Sequence, residues 1–225
     1  MDEPLGKLDP KIRKKFRHEL RRLIKTLNLT AIQVTHDQEE AMAIADEIIV
    51  MRKGKILQRG KPQDLYYHPN SIFVANFFGE TNFMEGFVSE VRPSSCLFHL
   101  HLGGPKFKIN LPQNHSLKNH VQVIIAYRIE DIELIKLKKV DKDRQDSDNN
   151  SLKMNVVEGK IKDIIFIGPM KRFIIELDNG DVIHVKHSSK FLMVFEKGEK
   201  ILTGFHEYPM VFPYPEDLRN ELSKA

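Results

Sequence analysis

Asp2 and Glu3 stand side by side in the opening MDEPLGKLD, and His36 closes the β-rich run IQVTHD. An acid at the end of a buried strand can hold Mg²⁺ through its water shell. A second acid beside it can orient or deprotonate an attacking water. A histidine that ends a neighbouring strand can contact a γ-phosphate and respond to its loss. Each residue also has a plainer use. An Asp-Glu pair is commonly a solvated turn, and Thr-His-Asp is commonly a helix cap with Thr35 or Asp37 as the capping residue. The residues by themselves leave both readings open.

The elements that must position them alternate between helix and strand as far as about Gly79. DPKIRKKFRHELRRLIKTLN sets Ile12, Phe16, Leu20, Leu23, Ile24 and Leu27 on one stripe of a 3.6-residue period. Asp9-Pro10 reads as its N-cap and first helical position. TAIQVTHD reads as a strand, near-continuously apolar as a central parallel strand should be, and QEEAMAIADE as a helix with Ala and Met inward. IIVMRKGKILQRG predicts two strands about a Lys53-Gly54 turn. KPQDLYYHPNSIFVANFFG predicts two short helices parted at His68-Pro69-Asn70. This is α/β sequence.

Beyond Gly79 the chain changes to short alternating strands. NFMEGFVSEV, CLFHLHL, KFKINL and VQVIIAYR form one set; NVVEGKIKDIIFIG, KRFIIELDNGDVIHVK and EKILTGFH form another. Two similar all-β, OB-like lobes are expected, about 81–138 and 153–215, joined by a polar linker at 139–152. An Asn-Gly pair inside LDNGDVIHV marks a hairpin.

Composition narrows the function classes. Thirty-five Lys and Arg against 31 Asp and Glu give a net charge of +4 over 225 residues, which fits a mixed solvated surface better than a nucleic-acid footprint. Aromatics interleaved with bases are sparse, with Phe107 between Lys106 and Lys108 the best instance, so no nucleic acid is expected. The single cysteine, Cys96, excludes an internal disulfide framework and reads as a packing residue in a reducing compartment. No apolar run approaches a membrane span.

MDEPLGKLD, then VTHDQEEAMAIADEIIVMRKGKILQRGKPQDLYYHP, then FVANFFGETNF resemble the second half of the ATP-binding subunit of an ABC importer. The branch is the one with a C-terminal transport-associated OB domain, which includes polyamine, iron, sulfate and sugar importers. The resemblance implies an α/β remnant of the ATPase domain over 1–80 and a tandem OB-like domain over 81–225. It matches Asp2 to the Walker B aspartate that supports Mg²⁺ through water, Glu3 to the catalytic glutamate that polarises water, and His36 to the switch histidine. Gly6 to Asp9 match the D-loop, with Asp9 facing the opposite subunit of a homodimer; Gly6 and Lys7 depart from the Ser or Asn and the Ala common there. The implied cofactors are ATP and Mg²⁺ in the intact subunit. The implied partners are the transmembrane permease and an external solute-binding protein, reached from the cytoplasmic face of the membrane. FFGETNF looks most like the polyamine branch.

The sequence contains no G-x-x-x-x-G-K-[ST] phosphate loop, Q-loop or LSGGQ signature, all of which precede the Walker B acid in the family. Met1 falls at the apolar position before that acid, so the chain is expected to be a portion of a longer protein that does not hydrolyse ATP alone. A non-catalytic regulatory or dimerisation module is the alternative. The strand AIQVT lacks its family neighbours, so the α/β part is expected to expose an apolar edge. In AYRIEDIEL, Arg128, Glu130 and Asp131 match a family Arg-Pro-Glu-Asp segment with Ile129 in place of proline, and the Arg128–Asp131 pair reads as fixing a turn. His99, His101, His184, His187 and His206 show no metal-ligand spacing.

Overall fold

The computed structural model describes residues 9–113, 115–137, 154–190 and 194–222. Asp2, Glu3 and the linker 139–152 lie outside these residues. The chain forms two compact units, one of the residues up to Gly79 with those from Arg219 onward, the other Glu80–Leu218.

In the first unit, α1 (Pro10–Thr26) begins at Asp9, whose carbonyl accepts the Arg13 N–H at 2.8 Å. It stops where Asn28 turns left-handed at φ 49, with the Leu29 N–H bonded back to the Ile24 carbonyl at 2.9 Å. Asn tolerates that conformation because its short side chain bonds locally. α2 (Gln38–Ile44) is capped by Asp37. β1 (Ile48–Arg52) and β2 (Lys55–Gly60) are antiparallel about Lys53 (φ 49) and Gly54 (φ 74), two successive positive φ values that define the expected tight hairpin turn. α3 (Pro62–Tyr67) starts on its proline, and α4 (Ile72–Phe78) on Ser71, whose hydroxyl accepts the Val74 N–H. Ile48, Val50, Leu65, Phe73, Val74 and Phe78 make the core, with Ala41 and Met42 of α2 against it.

The expected strand AIQVT is not observed. Val34 makes an isolated bridge, and Ile32 and Val34 are 81% and 60% exposed. A parallel strand is held by ladders on both sides and by layers on both faces, and the described residues supply neither. The stripe on α1 is likewise left largely open, with Ile12, Phe16, Leu23 and Leu27 all exposed. What the described residues show of the first unit is therefore helices and one antiparallel hairpin, not a parallel α/β sheet.

The second unit is all-β. Its strands are β3 (Thr81–Arg92), β4 (Ser95–Leu100), β5 (Lys106–Asn110), β6 (Gln122–Arg128), β7 (Glu133–Lys136), β8 (Met154–Ile167), β9 (Met170–Leu177), β10 (Val182–Ser188), β11 (Lys200–His206) and β12 (Met210–Pro213). They form two antiparallel five-stranded sheets, in the orders β12-β6-β3-β4-β5 and β7-β11-β8-β9-β10. The sheets repeat one another strand for strand, and each repeat gives its last strand away. β7 pairs with β11 of the second sheet, and β12 with β6 of the first. Neither sheet is contiguous in sequence, because the edge that one repeat leaves open is closed by the other. α5 (Leu218–Leu222) ends the described chain.

The interlock has a second component. Asn82 lies near the start of β3 and Asn155 near the start of β8. The Asn82 amide donates to the His184 carbonyl at 2.7 Å and accepts the His184 N–H at 2.8 Å, on edge strand β10. Asn155 does the same to Lys108 of edge strand β5, at 2.9 and 2.7 Å. A side-chain amide here stands in for a strand partner and satisfies an edge donor and acceptor together. Four residues on from each Asn is a glycine, Gly86 or Gly159. A Cβ on Gly86 would lie 2.0 Å from the His99 carbonyl oxygen, and one on Gly159 would lie 2.9 Å from that of Glu176. One core of both sheets fills the unit, with Phe98, Phe107, Tyr127 and Phe205 fully buried.

Candidate functional site

His36 is an exposed residue on the short segment that enters α2, and its neighbours hold that segment tightly. The Asp37 carboxylate accepts the Glu40 N–H at 2.9 Å and caps α2, and the Asp37 N–H donates to the Thr35 hydroxyl at 3.1 Å. Of the two residues foreseen as alternative caps, Thr35 or Asp37, it is Asp37 that caps α2, while Thr35 braces the Asp37 N–H and the Glu40 carboxylate beside His36. Glu40 is buried; its two carboxylate oxygens accept from the Gln33 amide and, at 2.8 Å, from the Thr35 hydroxyl. From the other side, α1 sends Arg17 to Asp37 at 2.8 Å and to Glu39 at 3.2 Å, and Arg13 to Asp37 at 3.4 Å. Burial works to raise the Asp37 carboxyl. It is outweighed by the Glu40 N–H, Arg17 and Arg13, which hold the carboxyl below its ordinary value of 3.8.

Sequence reading named His36 and missed this support. The signal was available: Arg13 and Arg17 share one helical face of α1, and two adjacent acids, Glu39 and Glu40, open α2. Which acid turns inward was not readable, because a buried carboxylate is a product of tertiary packing. Arg21 fixes the far end of α2 by donating to the Ile44 carbonyl and, at 3.3 Å, to that of Ala45.

Asp9 is placed at the start of α1, exposed, where its carbonyl begins the helix. Among the described residues no group of three or more His, Cys, Asp or Glu stands close enough to hold a metal ion. Asp2, the residue expected to support Mg²⁺, lies outside them.

In the β unit, Arg128 is buried and donates to the Thr81 hydroxyl at 2.5 Å. The Asp131 N–H closes a turn on the Arg128 carbonyl at 3.1 Å. Burial raises the Asp131 carboxyl, helped by Glu130 and opposed by His206 and Arg128. Burial likewise lowers His206, against the pull of Asp131. His99 stacks on Phe87 with ring centroids 4.5 Å apart and its Nε2 is 2.6 Å from the Ser89 hydroxyl. Cys96 is buried and its thiol is pushed up to about 11 by burial alone, the behaviour of a packing residue rather than a nucleophile.

No protein-family model matches the chain. Among curated proteins, the spermidine/putrescine import ATP-binding protein PotA of Clostridioides difficile is 34% identical over 191 residues, 84% of this chain and 47% of the relative. The protein of the same name from Ruegeria pomeroyi is 36% identical over 207 residues, 91% of this chain and 51% of the relative. The chain spans about half the length of the curated relatives it matches. A matched stretch of 191 residues is longer than either compact unit, so the similarity runs through both. The resemblance to ATP-binding subunits of ABC-type importers, first carried by the motifs, is therefore shown over most of the chain; the relatives that show it are named for spermidine and putrescine import. Among solved structures, the cytoplasmic molybdate-binding protein ModG aligns with 59% of this chain and 96% of its own at 14% identity and a TM-score of 0.49, too loose a likeness to bear on ligand or function. Among the described residues no helix is long and apolar enough to cross a membrane.

Proposed function

We propose that the chain is the second half of the ATP-binding subunit of an ABC-type polyamine importer. It carries part of the hydrolytic apparatus and a tandem OB-like regulatory domain. The observation that carries this reading is an identity of 34–36% over 191 and 207 residues, stretches longer than either compact unit. In the intact subunit Glu3 orients the attacking water, Asp2 supports Mg²⁺ through water, and His36 meets the γ-phosphate. Asp9 faces the second copy of a homodimer, and the work passes to a permease fed by a solute-binding protein at the membrane. The open apolar side chains of α1, with Ile32 and Val34, suit a unit whose remaining layers are supplied by the rest of such a domain.

The test is complementation. The chain is mixed with a separately produced segment carrying the phosphate loop, Q-loop and signature motif of a relative, and ATP turnover is followed. Turnover is expected from the mixture and not from the chain alone, and Glu3→Gln or His36→Ala should abolish it, a loss of about 10²-fold or more for a group that acts in the reaction. Turnover by the unmixed chain, or rescued turnover indifferent to Glu3→Gln, refutes the assignment. A folded mixture with no turnover favours a non-catalytic module, a reading that the self-contained core of the β unit supports.

A further inference from the structure

The chain passes between its two units twice, outward at Gly79–Glu80 and back at Leu218–Arg219. What it brings back is α5, five residues long and with none of them buried. A helix that short does not sustain itself, and apolar burial does not hold it here. It is held by two side chains of the first unit, both aimed at carbonyls of its last turn. Arg52, the last residue of β1, donates to the Asn220 carbonyl at 2.5 Å and lies 3.8 Å from the Glu221 carboxylate. Asn76 of α4 donates to the Leu222 carbonyl at 2.8 Å. The final carbonyls of a helix have no partner within it, and these two donors supply one.

Both contacts fall where they can be felt. Asn76 is three residues from Gly79, so the stretch that leaves the first unit is tied to the stretch that returns to it. The Arg52 side chain is 9% exposed, and its guanidinium stands over the Phe73 ring, 4.1 Å from the centroid. A cation so withdrawn from water is costly unless its donors are met and its charge is balanced. To that end α5 brings a carbonyl and a carboxylate, and the ring face adds its own attraction. Phe73 belongs to the buried core on which Ala41 and Met42 of α2 rest, and His36 stands two residues before α2. Contacts therefore run without a gap from α5 to Arg52, to Phe73 and its core, and to α2 behind His36.

We propose that α5 is a releasable clasp that positions His36. Docked on Arg52 and Asn76, it stiffens the core beneath α2; a pull on the returning chain frees it and loosens the segment that bears His36. Its link to turnover rests on the function proposed above, whereas the clasp itself does not. Amide hydrogen exchange of the whole chain tests the clasp without any reaction. Ending the chain after Leu218 should speed exchange roughly tenfold or more in β1, α4 and α2 and leave the strands of the β unit unchanged. Cleavage at a protease site introduced within 214–217 should give the same pattern, because α5 is then present only at the concentration of a free peptide. Asn76→Ala and Glu221→Gln, which spare the core, should each give part of the rise. In the complemented mixture the truncated chain should lose about threefold or more in kcat with KM for ATP unchanged. Four results would overturn the proposal. Exchange indifferent to truncation would make α5 an idle tail. A rise confined to β1 and α4 would leave His36 uncoupled from it. A rise spread equally through the β unit would mark a general loss of stability. A cleaved chain that exchanges like the intact one would make α5 a fixed part of the first unit. If exchange follows the clasp while no mixture turns over ATP, the clasp stands and the reading of the function falls.

Discussion

The first unit and the β unit solve the problem of open edges in opposite ways. In the β unit each repeat lends a strand to the other, and Asn82 and Asn155 bond the remaining edges. In the first unit the apolar side of α1 and the segment through Ile32 and Val34 stay open to solvent. Self-closure needs complementary pieces within one stretch of chain, and duplication supplied them to the β unit. The first unit has a small core of its own and keeps its charged network at the segment that bears His36. Stability is thus invested where the chain is complete in itself, and rigidity at His36 comes from ion pairs rather than from a sheet.

The strongest way to break that contrast is at the glycines. Gly86→Ala forces a methyl into backbone and the Phe98 ring, with contacts of 2.0 and 2.5 Å, whereas Gly159→Ala meets its neighbours at 2.9 Å. Urea unfolding should show a loss of about 3–5 kcal/mol at Gly86 and about 1–3 at Gly159. Equal and small effects would mean that the repeats tolerate slack, and the close-packed account of the β unit would fail.

The interlock itself is tested at the asparagines. Either change to Ala strips an edge strand of a donor and an acceptor at once. Asn82 is 7% exposed and Asn155 is the more open of the two, so about 2–3 kcal/mol is expected at Asn82 and about 1 at Asn155. Amide hydrogen exchange should speed up at His184 in the first variant and at Lys108 in the second. Loosening confined to the strand carrying the substitution would show that the repeats are merely adjacent.

The smallest expected effect lies in the first unit. Asp37 has its carboxyl below the ordinary value when folded, so the unfolded chain binds its proton first. The stabilisation is complete above the unfolded value and is lost as pH falls through the lower folded one. With the carboxylate partly solvated, the contribution is under about 1 kcal/mol. Asp37→Asn should flatten the acid limb of a stability profile, measured by urea unfolding from neutral pH to pH 3, by that amount. A profile unchanged by the substitution would remove the ion pairs from the account of how His36 is held.

How far the sequence could be read follows from how local each determinant is. The Lys53-Gly54 turn, the helix start at Asp9-Pro10 and the break at Pro69 were legible, since each is decided within a few residues. The four principal strands of each repeat were legible from alternation. Strands β7 and β12 were not, being four residues each and paired with the other repeat. The recurrence of Asn and Gly in NFMEG and NVVEG was visible in principle, yet nothing local says that an amide will serve as a strand partner. AIQVT shows the opposite failure: its apolar run has the pattern of a central strand, but a pattern does not supply the neighbours that make it one.

The sequence by itself determined the turns, the start of α1, the alternating strands and the order of motifs that ties this chain to importer ATP-binding subunits. Tertiary structure alone decided which strands cross between sheets, and that Glu40 turns inward while Glu39 faces Arg17. The division has a physical cause. Caps and turns are satisfied by bonds between near neighbours in the chain, whereas edge closure and burial depend on contacts between residues about a hundred positions apart, such as Asn82 and His184.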